Sequence, residues 1–483
     1  MIVMSMSSDA HNVALCVDLD GTLLTTDSLW ESLVALVLRN PFILFSVLSW
    51  MVQGKARLKL EVAARSDRAP SSWPYRQEVL DLIRLEKANG RKVVLATGAP
   101  ALVAQGIAEH LGLFDVVLHS TQDSNLTATA KKNALVEMFG EQGFDYIGNS
   151  RDDICIFEVA RQAIIVAPDP AAQRWQNAHG AKLLVPPPSG FKTMLKTMRI
   201  HQWLKNTLLV VPLILHHQMF NVGLIIDVVI AFFSFSFAAS FVYILNDLSD
   251  LKNDRLHKRK KERPLASGRL QIPTGIWLGA ALLLVSLSLS LFLPLIYFVV
   301  LLVYIAATTA YSFYLKQKLL VDVFTLAGLF TLRIIAGGAA INLDLSFWLL
   351  AFSLFFFLSL ALVKRYVELQ EMTGAAGSTE LGRGYFTEDF EMIGQAGISS
   401  AFGAALVLAL YVNSEEVQEM YQAPLLLWPL CPMILYMLLR IWMLARRGHM
   451  DDDPVVFILR DWRSQMIAVV GALLLALGTM ITL

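Results

Sequence analysis

Cysteine is scarce: three residues, Cys16, Cys155 and Cys431, are scattered through a chain of 483. No two share a short spacing, so neither a disulfide framework nor a zinc site has support. Charge is scarce as well, at 17% of residues against about 25% in a soluble domain. The 40 basic residues cancel the 40 acidic ones, which leaves no electrostatic footprint for nucleic acid. No basic region precedes the first apolar run, so a cleaved signal peptide is not expected. Apolar residues are abundant. At 55% they exclude a disordered chain and sit poorly with an ordinary globule.

The average conceals two unlike halves. Residues 1–190 alternate short apolar runs (Val13–Leu19, Lys92–Ala96, Asp145–Ile147) with polar helix-forming stretches, the pattern of a soluble α/β domain. Pro186-Pro187-Pro188-Ser189-Gly190 reads as a stiff linker to a domain at 191–483. Beyond it, apolar stretches recur near 204–221, 224–245, 274–293, 294–314, 319–341, 344–363, 392–412, 423–445 and 464–482. Each approaches the roughly 20 residues a helix needs to cross a bilayer. The expectation is an all-α polytopic membrane domain of nine transmembrane helices.

Lysine and arginine crowd alternate loops, from Lys252 to Arg269, at Lys316 and Lys318, at Lys364, Arg365 and Arg383, and from Arg446 to Arg463. The loops between, near 216–222, 293–295, 342–346 and 413–422, hold none. By the positive-inside rule the charged loops and the N-terminal domain face the cytosol, and nine spans put the C-terminus outside a cytoplasmic membrane.

The first apolar run ends in Val17-Asp18-Leu19-Asp20-Gly21-Thr22-Leu23. Carboxylates two residues apart at a strand end point the same way, and Gly21 allows a sharp turn. That geometry suits a nucleophile and an acid/base over one Mg²⁺. The stretch resembles the first motif of the haloacid dehalogenase superfamily, across most of residues 13–170, which implies a Rossmannoid domain with a helical cap at about 25–90. The resemblance makes Asp18 the nucleophile that forms an aspartyl phosphate and Asp20 the acid/base. It makes Thr97 a phosphate-binding hydroxyl and Lys131, in preference to Lys132, the charge-neutralising lysine. Asp18, Asp20, Asn149 and Asp153 would hold Mg²⁺. Asn149 stands where the family more often has Asp and offers oxygen without charge. An active phosphatase and a retained scaffold both follow. The cap stretch Leu29–Val52 is nearly membrane-like but holds Glu31, Arg39 and Asn40-Pro41. Its two readings are amphipathic cap helices and a surface resting on the bilayer that admits a lipid-linked phosphate.

In the second half, Asn246-Asp247-Leu248-Ser249-Asp250-Leu251-Lys252-Asn253-Asp254 would place Asp247, Asp250 and Asp254 on one helical face. Three like charges there call for a cation, and Mg²⁺ on a diphosphate substrate is the economical one. Arg255, His257, Lys260 and Arg263 follow closely, a basic cluster at the same membrane face; a solvated positive-inside loop accounts for Lys258–Lys261 but not for the carboxylate face. The segment is similar to the signature of the UbiA superfamily of intramembrane prenyltransferases, over roughly 196–483. Members that use aromatic acceptors carry a second Asp-rich motif after the sixth span. Here Lys364-Arg365-Tyr366-Val367-Glu368, Arg383 and Tyr385 stand instead, a cation pair suited to phosphate.

That replacement resembles the family's decaprenyl-phosphate phosphoribosyltransferase branch, together with Lys205 and Asn206 in RIHQWLKN, Tyr311 and Lys316 in YSFYLK, Asp322 and Arg333. The resemblance implies substrate-binding roles for these residues and for Asn246, Arg255, His257, Lys260, Arg263, Lys364, Arg365, Glu368, Arg383 and Tyr385. Its implied partners are a polyprenyl phosphate, phosphoribosyl diphosphate and the bilayer, and a homo-oligomer is compatible with it. The tail would lie along Phe232, Phe233 and Phe237. Arg333 falls mid-span, so it either pairs with a carboxylate or faces a substrate cavity. Asp322, eleven residues before it, shares its face without touching it. Arg440 reads as snorkelling or structural and His216 and His217 as interfacial. The alternatives are a prenyl-diphosphate transferase with an inactive N-terminal scaffold and a membrane scaffold or transporter.

Overall fold

The computed structural model describes residues 13–66, 68–121, 125–187, 190–257, 259–373, 384–450 and 453–480. The chain forms two compact units. One joins the residues up to Thr197 with Ile244–Leu278, and the other joins Met198–Tyr243 with Gly279–Leu483. The division therefore differs from a cut at 190: the Asp-rich segment folds with the N-terminal unit.

In the first unit, strands β1 (Ala14–Val17), β2 (Val93–Pro100), β3 (Val116–Ser120), β4 (Phe144–Gly148), β5 (Gln162–Val166) and β6 (Lys182–Val185) form one sheet in the order β3-β2-β1-β4-β5-β6. Every pairing is parallel. Alternate side chains enter opposite cores. Leu15, Val17, Val93 and Leu95 pack with Val79, Ile83 and Ile107 on one face. Cys16, Val94, Ala96 and Tyr146 pack with Leu135 and Ile156 on the other. Burial on both faces explains the nearly continuous apolar strands. Successive strands run outward on one side of β1 and then on the other, so a crevice opens at the carboxyl ends of β1 and β4, where such sheets bind ligands.

Between β1 and β2 stand three helices, α1 (Ser28–Arg39), α2 (Ile43–Val52) and α3 (Lys55–Arg65), joined by a small core of Leu36, Val47, Trp50, Leu58 and Val62. The cap is shorter than the sequence suggests, because helix Gln77–Ala88 turns Val79, Leu80 and Ile83 onto the sheet.

In the helical domain, eight helices among the described residues are long and apolar enough to cross a membrane: Val222–Ser249, Ile272–Ser290, Leu295–Phe313, Val321–Ala340, Phe347–Glu371, Thr387–Val412, Pro424–Arg446 and Trp462–Thr479. The expected first span is not one of them. Residues 204–221 instead begin in the 3-10 helix Ile200–Val210, which runs into the short helix Val211–Leu215. Lys205, Asn206 and Pro212 interrupt the apolar run, and Gly337 lets the neighbouring helix approach so closely that an added Cβ would lie 2.2 Å from the Leu209 carbonyl oxygen. Small residues serve close packing elsewhere too, as where Gly397 meets the Trp442 ring.

Candidate active sites

Register places Val17 of β1 beside Leu95 of β2 and Ile147 of β4. The residues that follow each strand end therefore meet in the crevice. Asp18 leaves β1 and Asp20 sits in the wide turn Leu19–Leu23, where Gly21 has φ +76° and a Cβ there would lie 2.3 Å from Asn149 Nδ2. Arg76 fastens this turn by donating to the carbonyls of Thr22 (3.1 Å) and Gly21 (3.2 Å). Lys131 Nζ lies 2.6 Å from Asp18 Oδ1 and 3.5 Å from Asp153 Oδ1. Thr22 Oγ1 donates to Asn149 Oδ1 at 3.2 Å.

A cavity of about 770 Å³ opens over these groups, with Asp18, Asp20, Lys131 and Asn149 on its wall. From the cap, Lys59 reaches into it and donates to the Gly98 carbonyl at 2.6 Å; Gly268 and Arg269 close another side. Thr97 is fully buried in β2, its Oγ1 accepting from the Ala99 N–H. Burial pushes the Asp20 carboxyl up to about 7, with the charges of Asp27 and Asp18 adding to it. Burial likewise raises Asp18 to about 6, against the pull of Lys131. Burial alone would lower Lys131, but Asp18 and Asp153 outweigh it and hold the ammonium above its ordinary value. The pair thus sets an ionised nucleophile beside an acid that carries a proton near neutrality.

A divalent cation fits the donor set: Asp18, Asp20 and Asn149 line one cavity wall, and Asp18 and Asp20 ionised together would exceed the charge of Lys131. Asp153 stands apart from the set expected to hold it. Its Oδ1 accepts from Tyr146 Oη at 2.8 Å, and its Oδ2 accepts from the N–H groups of Asn149 and Ser150 and from Ser150 Oγ. With its lone pairs occupied, it orders the β4 loop and anchors Lys131 instead of offering a free ligand oxygen.

The Asp-rich segment does not form one continuous helical face. Val222–Ser249 ends at Asp250, which begins the short helix Leu251–Leu256. Asp247 and Asp254 are nonetheless brought together, both buried, by Arg263: its Nη1 is 3.1 Å from Asp247 Oδ1 and 2.6 Å from Asp254 Oδ2. The guanidinium stands in for a cation between two carboxylates, which is the charge environment Mg²⁺ requires. No cluster of three His, Cys, Asp or Glu side chains poised for a metal occurs among the described residues. Asp250 accepts from Asn246 Nδ2 at 3.2 Å. His257 is exposed, its ring Nδ1 facing the N–H groups of Arg259 and Lys260, and Lys260 is half-buried. Arg255 is bound elsewhere, donating to the Ala266 carbonyl and pairing with Glu31 of α1, which also pairs with Arg68.

In the helical unit, Arg333 neither meets Asp322 nor stands open. Its Nε donates to Asn206 Oδ1 (3.0 Å), Nη1 to the Leu329 carbonyl (2.6 Å) and Nη2 to Tyr304 Oη (3.1 Å), inside a cage of Phe235, Tyr304 and Phe330 rings. Asp322 pairs instead with Arg365 from the next span, Nε to Oδ2 at 2.5 Å, and accepts from Tyr385 Oη at 2.5 Å. Arg365 also pairs with Glu368, yet its Nη2 has no hydrogen-bond partner although the side chain is fully buried. Lys364 is half-buried, and Lys205 pairs with Asp453. Tyr311 closes Leu295–Phe313, and Lys316 lies in the turn Leu315–Gln317. Phe233 and Phe237 gather around Trp203. Arg440 makes a paired bond to Asp461, and His217 packs edge-on against Tyr421. Arg383 lies outside the described residues.

Sequence reasoning missed Lys59, Arg76, Tyr146, Glu31 and Asp453. Two carried a signal: Glu31 is a lone carboxylate in an apolar run, and Asp453 precedes Pro454 as a helix cap.

The profile of the UbiA prenyltransferase family matches residues 207–378, and that of haloacid dehalogenase-like hydrolases matches residues 15–158. The chain is 35% identical to the uncharacterized protein y4nM of Sinorhizobium fredii over 98% of this chain and 92% of that protein. It is 31% identical to nodulation protein NoeC of Azorhizobium caulinodans over 63% of this chain and 95% of that protein. It is also 41% identical to decaprenyl-phosphate phosphoribosyltransferase of Corynebacterium glutamicum, over 39% of this chain and 59% of that protein.

Proposed function

Because the chain belongs to the UbiA prenyltransferase family and joins to it a haloacid dehalogenase-like hydrolase domain, we propose that it acts twice on one lipid. The membrane domain transfers 5-phosphoribose from 5-phosphoribosyl 1-diphosphate to a polyprenyl phosphate. The N-terminal domain then removes the 5-phosphate.

One observation carries the first step: in the span Phe347–Glu371 a fully buried Arg365, next to Lys364, holds a donor that no carboxylate takes. That donor is Nη2, left unmatched, and Lys364 beside it is half-buried. A buried guanidinium with an unmatched donor calls for an acceptor, and a phosphate oxygen of the donor or acceptor substrate supplies it. The likeness to the Corynebacterium enzyme supports the same reading over the matched residues.

In that step an ionised oxygen of the lipid phosphate attacks C1 of the ribose, the C1–O bond to the diphosphate breaks, and pyrophosphate leaves. Both families depend on Mg²⁺, which when bound would neutralise the diphosphate; Asp247, Asp250 and Asp254 are the residues to hold it. Arg263, released from those carboxylates, would take a phosphate oxygen. In the second step Asp18 attacks phosphorus, the ester bond to the ribose 5-oxygen breaks, and Asp20 protonates the departing oxygen. Water then hydrolyses the aspartyl phosphate. Lys131 holds Asp18 in place, and Asn149 with Asp18 and Asp20 would hold that domain's Mg²⁺.

Both reactions take place on the cytosolic face of a cytoplasmic membrane, with the positive-inside pattern as support. Ile200–Leu215 makes the ninth crossing. It runs antiparallel to Val222–Ser249, with Trp203 against Ser240 and Asn206 against Ser236. Eleven residues at about 2.0 Å and five at about 1.5 Å give roughly 30 Å, the thickness of the hydrocarbon core. The C-terminus then lies outside.

The test is to incubate membranes containing the protein with Mg²⁺, polyprenyl phosphate and the ribosyl diphosphate, then weigh the lipid product. A prenylated acceptor in place of a ribosylated lipid would sink the reading.

A further inference from the structure

Helix α2 is the least satisfied surface of the first unit. It turns Val47 and Trp50 into the cap core and carries no charged residue. Phe42, Leu44, Phe45, Leu48, Met51 and Val52 remain in the open, from 49% exposed at Leu44 to 89% at Val52. A contiguous apolar face of this kind marks a binding surface. The same unit contains Ile244–Ser249 and Ile272–Leu278, the ends of the spans Val222–Ser249 and Ile272–Ser290. The segment joining those ends is fastened to the cap. Arg255 pairs with Glu31 of α1, and Gly268 sits against Thr25 so tightly that a Cβ there would lie 2.3 Å from the Thr25 carbonyl oxygen. The cap is therefore tethered where two helices enter the lipid.

We propose that α2, packed on the cap core by one face, lays its exposed apolar face in the bilayer interface and holds the phosphatase cavity at the lipid surface. Its apolar face meets acyl chains, while Arg39 and Lys55, which bracket it, meet anionic headgroups. The cavity that Gly268 and Arg269 help to close then receives a phosphate borne on a membrane lipid. This last point rests on the proposed phosphatase step; the docking itself does not.

The experiment uses the full chain in nanodiscs of phosphatidylcholine and phosphatidylglycerol, with the partly exposed Cys155 replaced by serine. A fluorophore is placed by Phe45→Cys, Leu48→Cys or, as a control, Arg84→Cys. Lipids bearing a nitroxide on the acyl chain should quench positions 45 and 48 several-fold more than position 84. Equal quenching at all three overturns the docking. Quenching that disappears at one protein per disc assigns the face to a second copy and overturns it as well. A second arm replaces Phe42, Phe45 and Leu48 together by serine. Hydrolysis of a soluble phosphate ester should hold while hydrolysis of a lipid-borne phosphate falls several-fold. Unchanged lipid hydrolysis overturns the delivery role. If the parent protein hydrolyses neither ester, the phosphatase reading fails, and the quenching still decides the docking.

Discussion

Arg365 and Asp322 form an ion pair with both side chains at zero exposure, on two neighbouring membrane helices. Removing Asp322 leaves the buried Arg365 with Glu368 alone and its Nε unmatched; breaking a buried pair typically costs about 3–5 kcal/mol. Asp322→Ala should therefore lower yield and melting temperature in detergent. The double variant Asp322→Leu with Arg365→Met should regain stability without regaining transfer. Thermal unfolding followed by tryptophan fluorescence measures both; full stability in Asp322→Ala would contradict the pairing.

Arg263 bridges Asp247 and Asp254 and competes with any metal for them. Arg263→Gln should release the carboxylates and lower the half-saturating Mg²⁺ concentration. The KM for the ribosyl diphosphate should rise, because a phosphate contact is lost. Titrating Mg²⁺ and donor separately distinguishes the two effects. A parallel rise in both would show that Arg263 does not compete with the metal.

The strand ends of the N-terminal domain were legible because each strand is short, apolar on both faces and closed by a residue with its own chemistry, as at Asp18 and Asn149. Long apolar runs disclosed eight membrane helices for the same reason. The segment after Arg199 was not legible, since hydropathy registers an apolar stretch but not whether its backbone is α or 3-10. Partner choice was hidden as well. Glu31 meets Arg255 across 224 positions and Lys205 meets Asp453 across 248, and no local spacing encodes such contacts. Arg333 taught the converse. A mid-span charge implied a carboxylate or a cavity, but Asn206, Tyr304 and three aromatic rings satisfy it without either.

In the proposed phosphatase step Asp18 is the nucleophile, and Asn149 would offer the Mg²⁺ of that domain an oxygen without charge. Asp18→Asn should leave ribosyl transfer intact and cause the phosphorylated lipid to accumulate, as seen by mass spectrometry. Asn149→Asp should lower the Mg²⁺ needed for phosphate release by several-fold. An unchanged product profile in Asp18→Asn would make the domain a scaffold.

Glu31 is buried between Arg68 and Arg255, so one carboxylate neutralises two guanidinium groups. Glu31→Gln keeps the shape but leaves two cations facing each other, and the attachment of α1 to the segment after Asp254 should loosen. The loss expected for a broken buried pair is about 3–5 kcal/mol. Limited proteolysis should then cut within residues 255–271 faster than in the parent. Pairing Glu31→Gln with Arg255→Met removes one of the opposed charges and should slow the cleavage again. That rescue separates a charge effect from simple misfolding of the cap, because a misfolded cap would gain nothing from a second lost contact.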